Sequence, residues 1–157
     1  MFRCLAAVLT AATAATALST TPAVSGASPR TWVIKLTNEE RARAGCPELR
    51  GNLALGRAAQ RHSTDMAKND FVGHTGSRGS TLETRAQAAG YSGWRSLAEN
   101  VAAGQWSPAA VVRSWMRSPD HRANILNCSL THMGVGYVMK RGTAHGKYWT
   151  QDFGKKS

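Results

Sequence analysis

The sequence predicts an α+β domain in which helices come first and an antiparallel hairpin, covered by those helices, closes the chain. Three observations carry this. Leu55, Ala58, Ala59, His62 and Met66 recur at spacings of three and four between Leu53 and Lys68, the stripe of one buried helix face. Ser107 and Pro108 open another well-marked helix, with Val111, Val112, Trp115 and Met116 turned inward and Pro119 as its stop. Later the pattern changes to alternation: Met133, Val135, Tyr137 and Met139 share one face of a strand, and Tyr148 to Phe153 makes a second across a polar turn near Arg141 to Gly146.

The remaining elements follow in order. Val33 to Ala44 reads as a first helix ended by Gly45, and Asn52 caps the helix that starts at Leu53. Phe71 to Arg78 is a loop that contains His74. Ser80-Thr81-Leu82-Glu83 matches a capping box, with Ser80 as cap and Glu83 reaching back, for a short helix to Ala89 stopped by Gly90. Leu97 to Val101 is a short strand or an extended loop, and periodicity leaves both open. His121 to Leu126 is a turn or a short helix.

The 157 residues include 20 Lys and Arg against 9 Asp and Glu, a formal charge of +11, with 42% hydrophobic residues and three cysteines. That composition supports a packed core and excludes disorder over the whole length. Residues 1–27 stand apart as a signal peptide: Met1-Phe2-Arg3 is a short positive start, Cys4 to Leu18 is uncharged and rich in Ala and Leu, and Ser25-Gly26-Ala27 offers small residues for cleavage after Ala27, with Ala23 as the alternative. The run falls short of the roughly 20 strongly apolar residues that span a bilayer, and no transmembrane segment is expected in the mature chain. Cleavage takes Arg3 and Cys4 away and leaves residues 28–157 as one domain with nineteen basic against nine acidic groups, a net +10. In an oxidising compartment the remaining Cys46 and Cys128 read as one disulfide, worth about 2–5 kcal/mol by closing a long loop; two free thiols are the alternative.

No His-Glu-x-x-His helix, Cys-x-x-Cys pair, Gly-x-Ser-x-Gly elbow or phosphate-binding glycine loop is present in the sequence. His62 lies on an apolar helix stripe and reads as structural. His74 and His121 sit in Gly- or Pro-punctuated settings, where binding groups concentrate. Asn100, and Asn38 with Arg41, read as structural polar contacts, and Trp115, Tyr148, Trp149 and Phe153 as packing; Trp94 and Trp106, among glycines, are freer to line a rim. Arg41, Arg43, Arg50, Arg57 and Arg61 make a basic first third that reads as a solvated face.

Seven blocks occur in a recognisable order: Leu36-Thr37-Asn38-Glu39-Glu40-Arg41, His62-Ser63-x-Asp65-Met66-Ala67, Phe71-x-x-His74, Ala98-Glu99-Asn100-Val101-Ala102-x-Gly104, Trp115-Met116-x-Ser118-Pro119-x-His121-Arg122-x-Asn124-Ile125-Leu126, Gly134-Val135-Gly136, and Tyr148-Trp149-Thr150-Gln151-x-Phe153-Gly154. Over about residues 33–154 the chain resembles the CAP superfamily, and most of all its bacterial SCP-like secreted domains. The resemblance implies a three-layer α-β-α sandwich that gathers His74, Glu99 and His121 in one cleft. Many members line that cleft with two His and two Glu; here Ser118 stands at the position of the second Glu. Cys46 and Cys128 fall where some members have a cysteine pair.

Two imidazoles and a carboxylate can hold a divalent ion such as Zn(II) with a position open to water, through His74 and His121 above all. Without metal, Glu99 favours protonation of His74 or His121 and makes a pH-responsive anion site. The sequence therefore supports a secreted binding or effector module, with a lipid, wall polymer or protein as partner, no cofactor required and the basic charge holding it near an anionic envelope. The alternative is a metal-assisted hydrolase with Glu99 as base, acting on an envelope, lipid or peptide substrate. Nucleic acid is disfavoured, for want of a binding motif and because the chain is exported.

Overall fold

In chain order the elements are α1 (Pro29–Arg43), β1 (Arg50–Gly51), α2 (Leu53–Asn69), α3 (Leu82–Ala88), β2 (Trp94–Ala103), α4 (Pro108–Arg117), α5 (Pro119–Ile125), β3 (His132–Met139) and β4 (Lys147–Lys156). The computed structural model describes residues 26–157, so the expected signal peptide lies outside the described residues but for its last two. The strands form one sheet in the order β1-β3-β4-β2. Helices α1, α4 and α5 pack on one face and α2 and α3 on the other, the expected three-layer α+β sandwich. Among the described residues no helix is long and apolar enough to cross a membrane.

Local chemistry explains the helix ends. Asn52 caps α2 by accepting from the amides of Ala54 and Leu55, and Ser107 caps α4 by accepting from Ala110, with Pro108 at the first helical position. The same Ser-Pro device starts α1 at Pro29, four residues before Val33: Ser28 accepts from the Thr31 amide. The cap of α3 also differs from expectation. It is Thr81, not Ser80, and its reciprocal partner is Thr84, not Glu83. Ser80 belongs to the preceding loop, its carbonyl already taken by the Gly76 amide and by Arg85.

The hairpin of β3 and β4 forms as the alternation predicts, and Leu97 to Val101 lies within a ten-residue strand, β2, antiparallel to β4. The sheet is mixed and not purely antiparallel, because the two-residue β1 adds a parallel partner to β3. The residues before Pro119 and after it divide into two helices, α4 and α5, with Ser118 as the hinge between them.

Two layers are held by different means. On one face Val33, Val111, Trp115, Ile125, Trp149 and Phe153 form the main apolar core. On the other, α2 lies almost on the backbone of β3. A Cβ at Gly134 would overlap the backbone of Leu55 and Gly56, and one at Gly136 would overlap the Ala59 carbonyl. These glycines interrupt the strand pattern because a helix axis crosses there.

Arg41 departs from the solvated basic face and follows its other reading, a structural polar contact. Its side chain is fully buried and donates to the carbonyls of Pro47, Ile125, Asn127 and Leu130, fastening the segments that follow α1 and α5 to each other. Cys46 and Cys128 are bonded across the same junction, with Cα atoms 4.9 Å apart. Asn38 holds the Leu49 amide and carbonyl, as its structural reading required.

Replacing Gly136 by Ala is expected to lower unfolding free energy by about 1–3 kcal/mol or more, because the methyl group has only backbone to push against. Urea unfolding of the two proteins measures it; an unchanged midpoint would show that α2 can lift from the sheet at little cost.

Candidate functional site

Glu99 is the centre of the site. It lies on β2 with its side chain 3% exposed, facing α3 and the loop between α2 and α3. One carboxylate oxygen accepts from His74 Nδ1 at 2.9 Å and the other from Arg85 Nη2 at 2.6 Å. Arg85 comes from α3 and is itself buried; its other terminal nitrogen donates to the carbonyls of His74 and Ser80. A single guanidinium thus orients both the carboxylate and the loop that carries the imidazole.

Helix α2 grips the same loop from below. His62 Nε2 donates to the Gly73 carbonyl at 2.7 Å, and Asp65, one turn on, accepts from the amide and hydroxyl of Ser77. Ser63 donates to Thr150 on β4, while Met66 and Ala67 pack inward. The block from His62 to Ala67 is therefore a loop clamp on one side and a core face on the other. His62 is structural, as its position on the apolar stripe suggested.

His121 arrives from the opposite layer, at the free edge of β2. Asn100 donates to the His121 carbonyl and to Gln151, and Asn124 donates to the Glu99 carbonyl and to Asn100 Oδ1. Trp115 Nε1 donates to the next outward carbonyl, that of Val101. These bonds tie α4 and α5 to the strand edge and set the His121 main chain beside Asn100, the residue after Glu99.

The two histidines titrate in opposite directions. The Glu99 hydrogen bond raises the pKa of His74, whereas burial, followed by the nearby His74, lowers that of His121. As pH falls, the first proton goes to His74. Burial also lowers the pKa of His62, which stays neutral while it donates to Gly73. Glu99 is pulled upward by burial, but the His74 hydrogen bond and the Arg85 charge outweigh this and hold it below the usual range.

Asp152 is the part that the sequence reading missed, together with Arg85. It pairs with Glu99 across the β2-β4 ladder at a position where the backbones do not bond and side chains lie nearest. Asp152 is fully buried, and among the described residues neither of its oxygens accepts a hydrogen bond. Burial, the Glu99 charge and a hydrogen bond shared with Glu99 push its pKa well above that of an ordinary Asp, which favours the protonated form. A charged residue amid the apolar alternation of β4 was the available signal. Ser118, where the resemblance places a second Glu, lies at the junction of α4 and α5; the second carboxyl beside Glu99 comes from β4 instead.

The donor set does not make a three-ligand metal centre. Among the described residues no three His, Cys, Asp or Glu side chains converge, and both oxygens of Glu99 are engaged, one of them by a cation. The exposed part of the cluster is His74, whose side chain is 60% accessible above the covered Glu99. The predicted His74, Glu99 and His121 are thus assembled as a surface imidazole on a buried ion pair, with a second imidazole at the strand edge. Trp106, expected at a rim, is 75% exposed with Lys147 over its ring, and Trp94 is half-buried.

The profile of the Cysteine-rich secretory protein family, CAP, matches residues 34–153. The chain belongs to the CAP family. Its CAP domain is 37% identical to the uncharacterized Bacillus subtilis protein YkwD over 121 residues, 77% of this chain and 45% of that one. An extracellular protein of Bacillus anthracis that contains an SCP domain superposes with a TM-score of 0.73 at 31% identity, covering 82% of this chain and 40% of that chain. An outer surface protein of Borrelia burgdorferi shares the fold alone, at 20% identity and a TM-score of 0.71 over 80% of this chain and 90% of that one. The chain therefore spans less than half the length of YkwD and of the Bacillus anthracis protein.

Two substitutions test the electrostatics. Glu99→Gln leaves the buried Arg85 without its counter-ion and is expected to cost on the order of 3–5 kcal/mol, while the His74 pKa falls in an NMR titration. Asp152→Asn acts oppositely. A raised acid pKa gives stability that is greatest below the ordinary Asp range and is lost as pH rises towards the folded value. The variant is expected to be more stable than the parent at neutral pH and little changed near about pH 4, with a flatter pH dependence between. Equal stability at both would show that Asp152 is ionised in the folded protein.

Proposed function

We propose that this CAP domain is exported and acts as an extracellular binding module, and that His74 and His121 take an anionic group on an envelope ligand. The observation that supports this is the pairing of an accessible imidazole of raised pKa with a neighbour of lowered pKa. Over mildly acidic to neutral pH this gives one imidazolium as a charge and one neutral imidazole as a hydrogen-bonding partner. Glu99, Asp152 and Arg85 form the covered base that fixes them. With Glu99 ionised, Asp152 neutral and Arg85 charged, protonation of His74 leaves the cluster with a net positive charge. The carboxylates or phosphates of a wall polymer or a lipid headgroup share the chemistry that such a site recognises.

The hydrolase alternative has less support, since Glu99 as base needs a free oxygen and both of its oxygens are occupied. Zn(II) at this place would have two imidazoles and no free carboxylate. Export rests on the charged start, apolar run and small residues of 1–27, and agrees with the secretory family and with the extracellular Bacillus anthracis relative.

NMR titration of the histidine rings with inorganic phosphate and with acetate tests the site. Saturable shifts of His74 and His121 are expected, with affinity that falls as pH rises through the raised pKa of His74 and is lost in His74→Gln. The absence of saturable shifts would reject the anion site. Tight Zn(II) binding abolished by joint replacement of both histidines would put the metal reading in its place. For export, mass spectrometry of protein from the culture medium is expected to find Ser28 as the first residue; an intact Met1 in that fraction would contradict cleavage.

A further inference from the structure

The two edges of the sheet end differently. Along β2, Trp115 and Asn124 cover the outward carbonyls. The opposite edge belongs to β3, because its partner β1 stops after two residues, at Gly51 opposite Met133. The Lys140 amide bonds to the Gly146 carbonyl, which sets the alternation of the ladder: Met133, Val135 and Tyr137 direct their main-chain groups away from β4. The Asn52 amide takes the Met133 carbonyl, and Gln60 takes both groups of Tyr137 with its side-chain amide, standing in for a strand. Val135, between them, is 3% exposed, yet among the described residues neither its N–H nor its C=O has a partner.

In front of Val135 a groove of about 780 Å³ opens between α1 and α2. It is the space that a longer β1 would have filled. Its volume lies within the roughly 300–1,000 Å³ typical of ligand pockets. Ile34 and Met133 form an apolar floor, and Leu53, 84% exposed, stands at its lip. Among the described residues Arg30, Arg57 and Arg61 line it, and no acidic side chain does. Arg57 already donates to the Ala89 carbonyl, and Arg30 leans on Gln60.

We propose that this groove is a docking site for an extended peptide segment bearing alternate acidic and aliphatic side chains, which pairs with the main chain of Val135 and continues the short strand β1. The unpartnered N–H and C=O suit a main chain, since a strand supplies an acceptor and a donor in register, and the side-chain amide that does so for Tyr137 is already engaged there. The apolar floor takes one set of side chains and the arginines take the other, as the period of two along a strand requires. The site lies at the edge of the sheet opposite His74 and His121 and is independent of any ligand bound there.

The test uses the secreted protein, isotope-labelled, and four probes: an acetylated and amidated hexapeptide alternating glutamate and leucine, its lysine-leucine counterpart, the acidic peptide N-methylated at every second amide, and phosphatidylglycerol vesicles. Saturable binding of the unmodified acidic peptide alone is expected, with the largest amide shifts at Val135 and its neighbours and unmoved His74 and His121 rings. Replacing Arg30 and Arg61 together by Glu is expected to weaken it roughly tenfold or more. The fold of that variant is checked by its circular dichroism. Four results would overturn the proposal: no saturable binding of the acidic peptide, equal binding of the N-methylated one, capture of vesicles but not peptide, or shifts centred on His74. Unaltered affinity in the folded double variant would equally remove the role of the arginines.

Discussion

Helix α2 lies so close to β3 that no side chain fits between them at Gly134 and Gly136, and most of what is distinctive in the domain depends on that contact. Because the helix backbone rests on the sheet, Ser63 can reach Thr150 directly. His62 and Asp65, on the flank turned towards the loop, are then within hydrogen-bond distance of Gly73 and Ser77. His74 is presented by a loop fastened on both sides of it. The same approach places Gln60 alongside Tyr137, where it substitutes for a strand. A methyl group at either glycine would move the helix outward and loosen the loop, the clamp and the sheet edge together.

The second constraint is electrostatic. Burying a guanidinium and two carboxyls is costly in itself, and such a cluster is weak evidence for stability. Its geometry shows what it contributes instead. Arg85 reaches across from α3 to Glu99 on β2 and to the main chain of His74, so its position couples three segments distant in sequence. The raised pKa of Asp152 favours its protonated form, in which two carboxyls can face each other across a ladder without repulsion. The outcome is a carboxylate held from both oxygens, and hence an exposed imidazole anchored to it through Nδ1.

Much of this was legible from residues alone, for identifiable reasons. The apolar stripe of α2 and the Ser-Pro start of α4 are local signals, and the structure keeps them. The strand β2 was ambiguous because Asn100 and Val101 are buried on opposite faces, which erases the alternation that marks a half-exposed strand. Thr81 caps α3 in place of Ser80, which is drawn into the preceding loop: its carbonyl accepts from the Gly76 amide and from Arg85, contacts that lie outside the four-residue pattern. His74 and His121 stood out by their Gly- and Pro-punctuated settings, whereas their gathering with Glu99 was implied only by the resemblance carried by the ordered motif blocks; the structure bonds His74 to Glu99. Arg85 and Asp152 escaped notice since an arginine in a short helix and an aspartate in a strand acquire their role only when β2 pairs with β4. Arg41, read both among the surface arginines and, with Asn38, as a structural polar contact, takes the second role: four carbonyls from two segments, Pro47 and the stretch from Ile125 to Leu130, withdraw it into the interior.

Cys46 and Cys128 enclose 82 positions of sequence separation, and within that span lie the exposed turns around Arg78 and Trp106. A protease that severs either turn produces two fragments that remain covalently joined, with Arg41 still bound to the carbonyls on both sides of the bridge. Nicked molecules would therefore keep their mass and much of their shape. In surroundings rich in peptidases, a single cut converts the protein into a two-chain form and does not release its pieces.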